Sequence, residues 1–163
     1  MASSILVAEG GQNILWASRP EDRSRLWQAR HDAGPAGRTI APWSSLLITD
    51  VAVPLSNLPE CILETKQDLV SSGLIAPLVG HVGDGSFHLT LLLAEGEADR
   101  GALFNDRLVE RALRLGGTCT GEHGIGLGKR KYMRQEHGAA VDVMRLIKDA
   151  LDPKGIMNPG KVL

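Results

Sequence analysis

Residues 75–93 have the sequence IAPLVGHVGDGSFHLTLLL. Two apolar runs flank the segment Gly83-Asp84-Gly85-Ser86, whose composition is typical of a tight turn. The pattern predicts a β-hairpin in which His81 lies directly opposite His88, so that both imidazoles share one face of the sheet. The two predicted strands are residues 75–82 and 87–93.

The rest of the chain alternates between strand and helix patterns. Asn57, followed by Glu60, resembles a capping box at the start of a helix, and Gly73 is predicted to end that helix. One tight hairpin among alternating elements predicts an α+β fold, a mainly antiparallel sheet with helices packed on one face, in a single domain over residues 1–163. The other predicted elements are short strands over residues 5–8 and 46–53, helices over 20–30, 98–115 and 139–151, and a loop over 34–45.

The composition is that of an ordinary globular protein, with 43% apolar and 23% charged residues and a formal net charge of −1. This balance argues against nucleic acid as a partner. The longest basic cluster, Lys129-Arg130-Lys131, is expected to be solvated. Two cysteines, Cys61 and Cys119, are too few for a disulfide framework and are predicted to be free thiols. No apolar run approaches the ~20 residues that span a bilayer, so we expect a cytoplasmic protein, peripheral to a membrane at most as part of a complete enzyme.

Three of the five histidines lie in two glycine-rich segments. A single histidine in an apolar strand is usually a core or surface residue, but two in register beside a turn favour a metal site. Glu122 supplies an anionic oxygen, so His81, His88 and Glu122 form a candidate ligand set. Two nitrogens and one oxygen leave coordination positions open, as in catalytic sites. This set suits zinc, manganese or non-haem iron.

His123 follows Glu122 directly and has two interpretations. Because adjacent side chains point in different directions, His123 could face a bound substrate as a general base, a role suited to an imidazole near neutral pH. Alternatively, His123 is the ligand and Glu122 only supports it. The glycines around this pair do not follow a phosphate-binding template, because their spacing is wrong and no Ser or Thr follows Lys129.

Three segments taken together resemble one known family. Residues 80–88, 117–126 and 151–163 are similar to the C-terminal domain of FAD-linked 2-hydroxyacid dehydrogenases and oxidases. That family includes cytochrome-linked D-lactate dehydrogenases, the glycolate oxidase flavoprotein subunit and D-2-hydroxyglutarate dehydrogenase. Residues 26–31 and 50–54 add to the likeness on the D-lactate side.

The resemblance implies a fold, a mechanism and a set of roles. The fold is a ferredoxin-like substrate domain. A divalent metal, commonly zinc, is held by the three candidate ligands and binds the hydroxy acid, and His123 takes the hydroxyl proton while hydride passes to FAD. Arg30 matches an arginine that pairs with the substrate carboxylate, and Asn158 matches a position near the flavin ring.

The family's flavin-binding domain precedes this one, and none of its sequence is present. We therefore expect the substrate- and metal-binding portion of a D-2-hydroxyacid dehydrogenase, inactive without a flavin-binding domain or subunit as its partner. One alternative is a stand-alone module that binds metal and hydroxy acid without redox chemistry, and another is a small metallohydrolase. A domain that normally buries one face is also expected to self-associate as a homo-oligomer.

Overall fold

A computed structural model describes the backbone of residues 2–163 and the side chains of this range except those of residues 2, 30 and 33–35. The contacts divide the chain into two compact units, residues 1–40 and residues 41–163. The single domain expected from the sequence stays a prediction, and each unit is described by itself.

The first unit contains two helices, α1 (Ala2–Ala8) and α2 (Pro20–Ile40). The short strand predicted over residues 5–8 is wrong, because a brief apolar run fits either a strand or a helix. Helix α2 begins where predicted, with proline first and Glu21 and Asp22 in its first turn. The predicted end near residue 30 is also wrong. A proline removes only one of a helix's hydrogen bonds, and α2 continues to Ile40.

The second unit is built on a small antiparallel sheet. Its central strand, β4 (Ser86–Leu93), pairs along one edge with β1 (Ser45–Ile48) and β2 (Val51–Ala52), and along the other with β3 (Leu78–His81). The strand predicted over residues 46–53 is therefore interrupted, at Thr49 and Asp50.

The hairpin is present, but its register differs from the prediction. His81 pairs with Ser86, and His88 lies opposite Val79. A one-turn 3-10 helix over Val82–Asp84 and then Gly85, with φ +72°, form the turn. The pairing is shifted by two residues, and because side chains alternate with period two, His81 and His88 still lie on the same face.

Four helices complete this unit: α3 (Leu58–Ser72), α4 (Ala98–Arg114), α5 (Met133–His137) and α6 (Ala140–Leu151). Gly73 ends α3 in the left-handed conformation, as predicted. The predicted capping box is wrong, because the Asn57 side chain instead donates to the Leu115 carbonyl oxygen at 2.8 Å. This bond ties the start of α3 to the end of α4.

The core lies between the sheet and helices α3 and α4. Alternate residues of β4 face it, and Cys61 and Cys119 are buried in it as free thiols, as predicted. The α+β fold with a small antiparallel sheet is thereby confirmed. No helix among residues 2–163 is both long enough and apolar enough to cross a bilayer. The principal core side chains are Val51, Phe87, Leu89, Leu91, Phe104, Leu108, Val109 and Ala112.

Candidate metal centre

His88 is a buried residue at the centre of the candidate site. It lies in β4 and is 4% exposed, and its Nδ1 is 3.1 Å from the Thr49 carbonyl oxygen. Thr49 is itself fixed, since it exchanges two hydrogen bonds of 2.9 Å with Leu89. A carbonyl oxygen can only accept, so Nδ1 carries the hydrogen and, in the neutral ring, Nε2 presents a lone pair.

The Nε2 atom of His88 is buried and makes no hydrogen bond with correct geometry. It nevertheless lies 3.0 Å from Oε1 of Glu122. A nitrogen lone pair and a carboxylate oxygen this close repel each other unless a proton or a cation lies between them. A histidine that donates one ring N–H to a backbone carbonyl and presents its other nitrogen is also the usual arrangement of a metal ligand.

His81 completes a group of three potential ligands with His88 and Glu122. One ligand atom from each lies within 4.8 Å of the other two, and the two imidazole centroids are 6.4 Å apart with planes at 82°. The structure therefore brings together the three residues that the sequence singled out, although through a different strand register. Their arrangement is compatible with a single small cation.

A second group, Asp50, His88 and His123, meets the same distance criterion. The Asp50 carboxylate, however, already accepts five hydrogen bonds. Its Oδ1 accepts from the backbone N–H groups of Gly121 (3.0 Å) and Glu122 (3.1 Å). Its Oδ2 accepts from the His123 N–H (3.0 Å), Thr120 Oγ1 (2.9 Å) and Lys129 Nζ (2.7 Å). With its lone pairs occupied and a lysine cation beside it, Asp50 is a poor metal ligand, which favours the group containing His81.

Asp50 is 1% exposed. Burial alone would raise the pKa of this carboxyl, but the hydrogen bonds from Lys129, His123, Thr120 and Glu122 outweigh burial and hold it well below its usual value. Sequence reasoning missed both Asp50 and Lys129 as parts of the site. The expectation that Lys129 is solvated is wrong, since its side chain is only 17% exposed. An aspartate within the apolar strand predicted over residues 46–53 was one available signal.

His123 lies beside the candidate ligands. Its ring stacks on that of His88, with centroids 5.1 Å apart and planes inclined by 13°. Its Nε2 is 3.6 Å from Oε1 of Glu122, and its side chain is 46% exposed. The imidazole can therefore be reached by a small molecule from solvent.

The two remaining predicted site residues are Arg30 and Asn158. Arg30 lies within α2, but its side chain is outside the described residues. Asn158 is exposed in the C-terminal tail, with φ +46°, and its carbonyl accepts from the Lys161 N–H at 3.2 Å. The tail lies beside the loop that follows His123, because Val162 N–H donates to the Gly126 oxygen at 2.9 Å and Arg130 to the Gly160 oxygen at 2.8 Å.

Comparison with known proteins bears on the family of the chain. A family model described as "FAD linked oxidases, C-terminal domain" matches residues 1–162. The chain is 51% identical over its whole length to a probable mitochondrial D-lactate dehydrogenase of Danio rerio, of which it covers 34%. It is 40% identical over its whole length to the mitochondrial D-lactate dehydrogenase [cytochrome] of Arabidopsis thaliana, of which it covers 30%. Over 92% of its length it is 31% identical to the glycolate oxidase subunit GlcD of Bacillus subtilis, of which it covers 32%.

These relatives add two facts. The chain spans about a third of the length of the curated relatives that it matches. The expectation of a cytoplasmic protein is wrong, because the similar D-lactate dehydrogenases of Danio rerio, Arabidopsis thaliana and Saccharomyces cerevisiae are mitochondrial and point to that compartment instead.

Proposed function

Since the chain belongs to the family of C-terminal domains of FAD-linked oxidases, we propose a specific function for it. It is the substrate- and metal-binding portion of a D-2-hydroxyacid dehydrogenase that acts on D-lactate or a similar acid. The oxidation requires a flavin-binding domain or subunit outside these residues. Without that partner, the chain binds the hydroxy acid but does not oxidise it.

One observation carries this proposal. His88 is buried, its Nδ1 is committed to the Thr49 carbonyl, and its Nε2 faces the Glu122 carboxylate at 3.0 Å without a hydrogen bond. Leaving a buried polar atom unpaired costs about 1–3 kcal/mol, so a bound partner at this nitrogen would stabilise the folded protein. A cation between the imidazole and the carboxylate would satisfy both groups.

His81, His88 and Glu122 are the residues that would hold the metal. Two imidazoles and a carboxylate suit a divalent ion of the first transition series, and we propose zinc. When bound, the metal would act as a Lewis acid on the oxygen atoms of the substrate and lower the pKa of its hydroxyl group. The Thr49 carbonyl would keep the His88 ring in the tautomer and orientation that ligation requires.

His123 would act as the general base. Its imidazole accepts the hydroxyl proton of the substrate, while the hydrogen on the adjacent carbon leaves as hydride to the flavin, and the product is the 2-oxo acid. Arg30 would pair with the substrate carboxylate, for which a guanidinium offers two parallel hydrogen bonds. Asn158 would lie near the flavin ring.

The test is a hybrid enzyme. The part of the Danio rerio relative that lies outside the shared region is joined to this chain, which is 51% identical to that relative over the shared region. Dye-linked oxidation of D-lactate by this flavin hybrid is measured with and without His88→Ala. We expect turnover that the substitution abolishes. His137→Ala is the matched control, because His137 is partly buried beside Glu136 and lies outside the candidate ligand groups.

The alternatives give different outcomes. Tight binding of D-lactate by the isolated chain, with no oxidation by any flavin hybrid, would favour the stand-alone binding module. Hydrolytic turnover by the isolated zinc-loaded chain would favour the metallohydrolase. A hybrid that oxidises D-lactate equally well with and without His88 would rule out the proposed site.

A further inference from the structure

We propose that Asp50 is a positioning residue, whose buried carboxylate sets the backbone of residues 121–123 and thereby directs Glu122 and His123 towards His88. The metal and base roles of these residues rest on the proposed function. The role of Asp50 in fixing the loop rests on the hydrogen bonds alone.

Three consecutive backbone N–H groups converge on this one carboxylate. Gly121 and Glu122 donate to Oδ1, and His123 donates to Oδ2, at 3.0–3.1 Å. Because these N–H groups belong to the segment that carries both functional side chains, their positions determine where the Cα–Cβ bonds of Glu122 and His123 point. Asp50 itself directly precedes β2. Its hydrogen bonds therefore fix the position of the loop relative to the sheet that also carries His88.

The carboxylate is in turn held in one orientation. Lys129 Nζ donates to Oδ2 at 2.7 Å and to the Asp50 carbonyl oxygen at 3.0 Å, so this lysine fixes both the side chain and the backbone. Thr120 Oγ1 supplies a further bond to Oδ2 at 2.9 Å. A buried carboxylate is costly unless it is paired and hydrogen-bonded. Here the hydrogen-bond donors come from residues 120–129, and Nδ1 of His88 lies 3.8 Å from Oδ1 of Asp50.

Gly121 permits the close approach of the loop to Asp50. A β-carbon at this position would lie 2.8 Å from Oδ1 of Asp50 and 3.3 Å from the Val51 carbonyl oxygen. Any larger residue would push the loop away from the carboxylate. Glycine is therefore required here by the contact with Asp50 and not by the backbone conformation, because the φ of Gly121 is not in the left-handed region.

The first experiment compares Asp50→Asn with Glu136→Gln in the 163-residue chain. Asparagine keeps the shape but places an NH2 group where N–H donors already converge. Glu136 is the matched control, because its carboxylate also accepts a backbone N–H close to this segment, from Cys119 at 2.9 Å, whereas residues 121–123 donate theirs to Asp50. The readouts are the hydrogen-exchange protection of the amides of residues 121–123, by NMR, and the Zn²⁺ affinity, by calorimetry.

We expect Asp50→Asn to lower the hydrogen-exchange protection of these three amides about tenfold or more. It should also weaken Zn²⁺ binding about 10- to 100-fold, which is the usual effect of substituting a residue that orients a metal ligand. Glu136→Gln should leave both readouts unchanged. Wild-type protection in a folded Asp50→Asn chain would overturn the proposal, as would equal loss of Zn²⁺ affinity in both variants.

A second pair keeps the proposal testable if Asp50→Asn does not fold. Gly121→Ala displaces the loop without altering the carboxylate, whereas Gly128→Ala adds a methyl group with no atom within 4 Å. We expect only Gly121→Ala to lower protection and Zn²⁺ affinity, and equal behaviour of the two would overturn the proposal. If the wild-type chain binds no Zn²⁺, the metal of the proposed function fails, while the amide protection still decides the role of Asp50.

Discussion

The imidazole ring of His123 stacks on that of His88, with centroids 5.1 Å apart and planes 13° from parallel. His88 cannot turn freely, because its Nδ1 is bonded to the Thr49 carbonyl oxygen. The backbone N–H of His123 is fixed as well, by Asp50 at 3.0 Å. The residue that we propose as general base is thus oriented through both its ring and its backbone.

The first prediction concerns the metal ligands. We expect His81→Ala and Glu122→Ala each to abolish stoichiometric Zn²⁺ binding, because each removes one of the three proposed protein ligands. Calorimetry, with the zinc content measured after gel filtration, checks this. His137→Ala is the control and should bind one Zn²⁺ per chain. Retention of one tightly bound Zn²⁺ by either ligand variant would contradict the assignment.

The second prediction separates His123 from the ligands. His123→Ala should retain Zn²⁺ but lower the rate of D-lactate oxidation by the flavin hybrid about 10²- to 10⁴-fold, the usual contribution of a general base. Stopped-flow reduction of the flavin measures the rate, and calorimetry measures the metal. Loss of Zn²⁺ in this variant would instead make His123 the ligand and Glu122 its supporting partner.

The hairpin was predicted from the sequence, but its register was not. The two apolar runs and the turn composition predicted two strands with His81 and His88 on a common face. The structure contains both strands and the common face, although the first strand is only Leu78–His81. The register was wrong, because Gly83 and Gly85 both looked like turn residues and the sequence did not reveal that a 3-10 helix begins at Val82. The shift of two residues left the shared face intact.

Asp50 and Lys129 could not have been paired from the sequence. They lie 79 residues apart, and each has an ordinary explanation alone, as a polar residue in a strand and as part of a basic cluster. Only the folded chain brings the loop at residues 120–129 against the interrupted strand. Period and propensity describe local structure, whereas this contact depends on how distant segments pack.

The third prediction tests the hairpin turn. Gly85→Ala should destabilise the protein, because Gly85 has φ +72° and an added β-carbon would lie 2.1 Å from the Val53 carbonyl oxygen. Backbone strain alone costs about 1–3 kcal/mol, and the contact with Val53 adds to it. Urea denaturation gives the change in the free energy of unfolding.

Gly83→Ala is the control within the same turn. An added β-carbon at Gly83 meets no atom within 4 Å, and its φ is not left-handed, so we expect a change within about 0.5 kcal/mol. Because the turn joins the strands that carry His81 and His88, Gly85→Ala should also weaken Zn²⁺ binding. Equal stability of the two variants would show that the turn differs from the one described.

An ion-pair cluster joins α3 to α4, and we expect it to make the stability of the protein depend on pH. Asp68 accepts hydrogen bonds from Arg107 at 2.7 Å and from Arg111 at 3.0 Å, and its side chain is 11% exposed. Burial alone would raise the pKa of Asp68, but the two arginines outweigh it and lower the pKa below its usual value. The folded state therefore binds this proton less readily than the unfolded state does.

The fourth prediction follows from the lowered pKa of Asp68. The stabilisation by Asp68 is fully present above the ordinary aspartate pKa of about 4 and is lost as the pH falls through the lowered folded pKa. We expect Asp68→Asn to reduce the free energy of unfolding by about 1–3 kcal/mol at pH 7, and the difference from wild type to shrink below about pH 4. Urea titrations at several pH values measure it. Asp142→Asn is the control. Arg134 also lowers the pKa of Asp142, but Asp142 is 62% exposed, so water and salt screen the pair, and its loss should change the free energy of unfolding only slightly at any pH. A difference between Asp68→Asn and wild type that stays constant from pH 7 to pH 3 would mean that Asp68 stabilises the helices through packing and not through its charge.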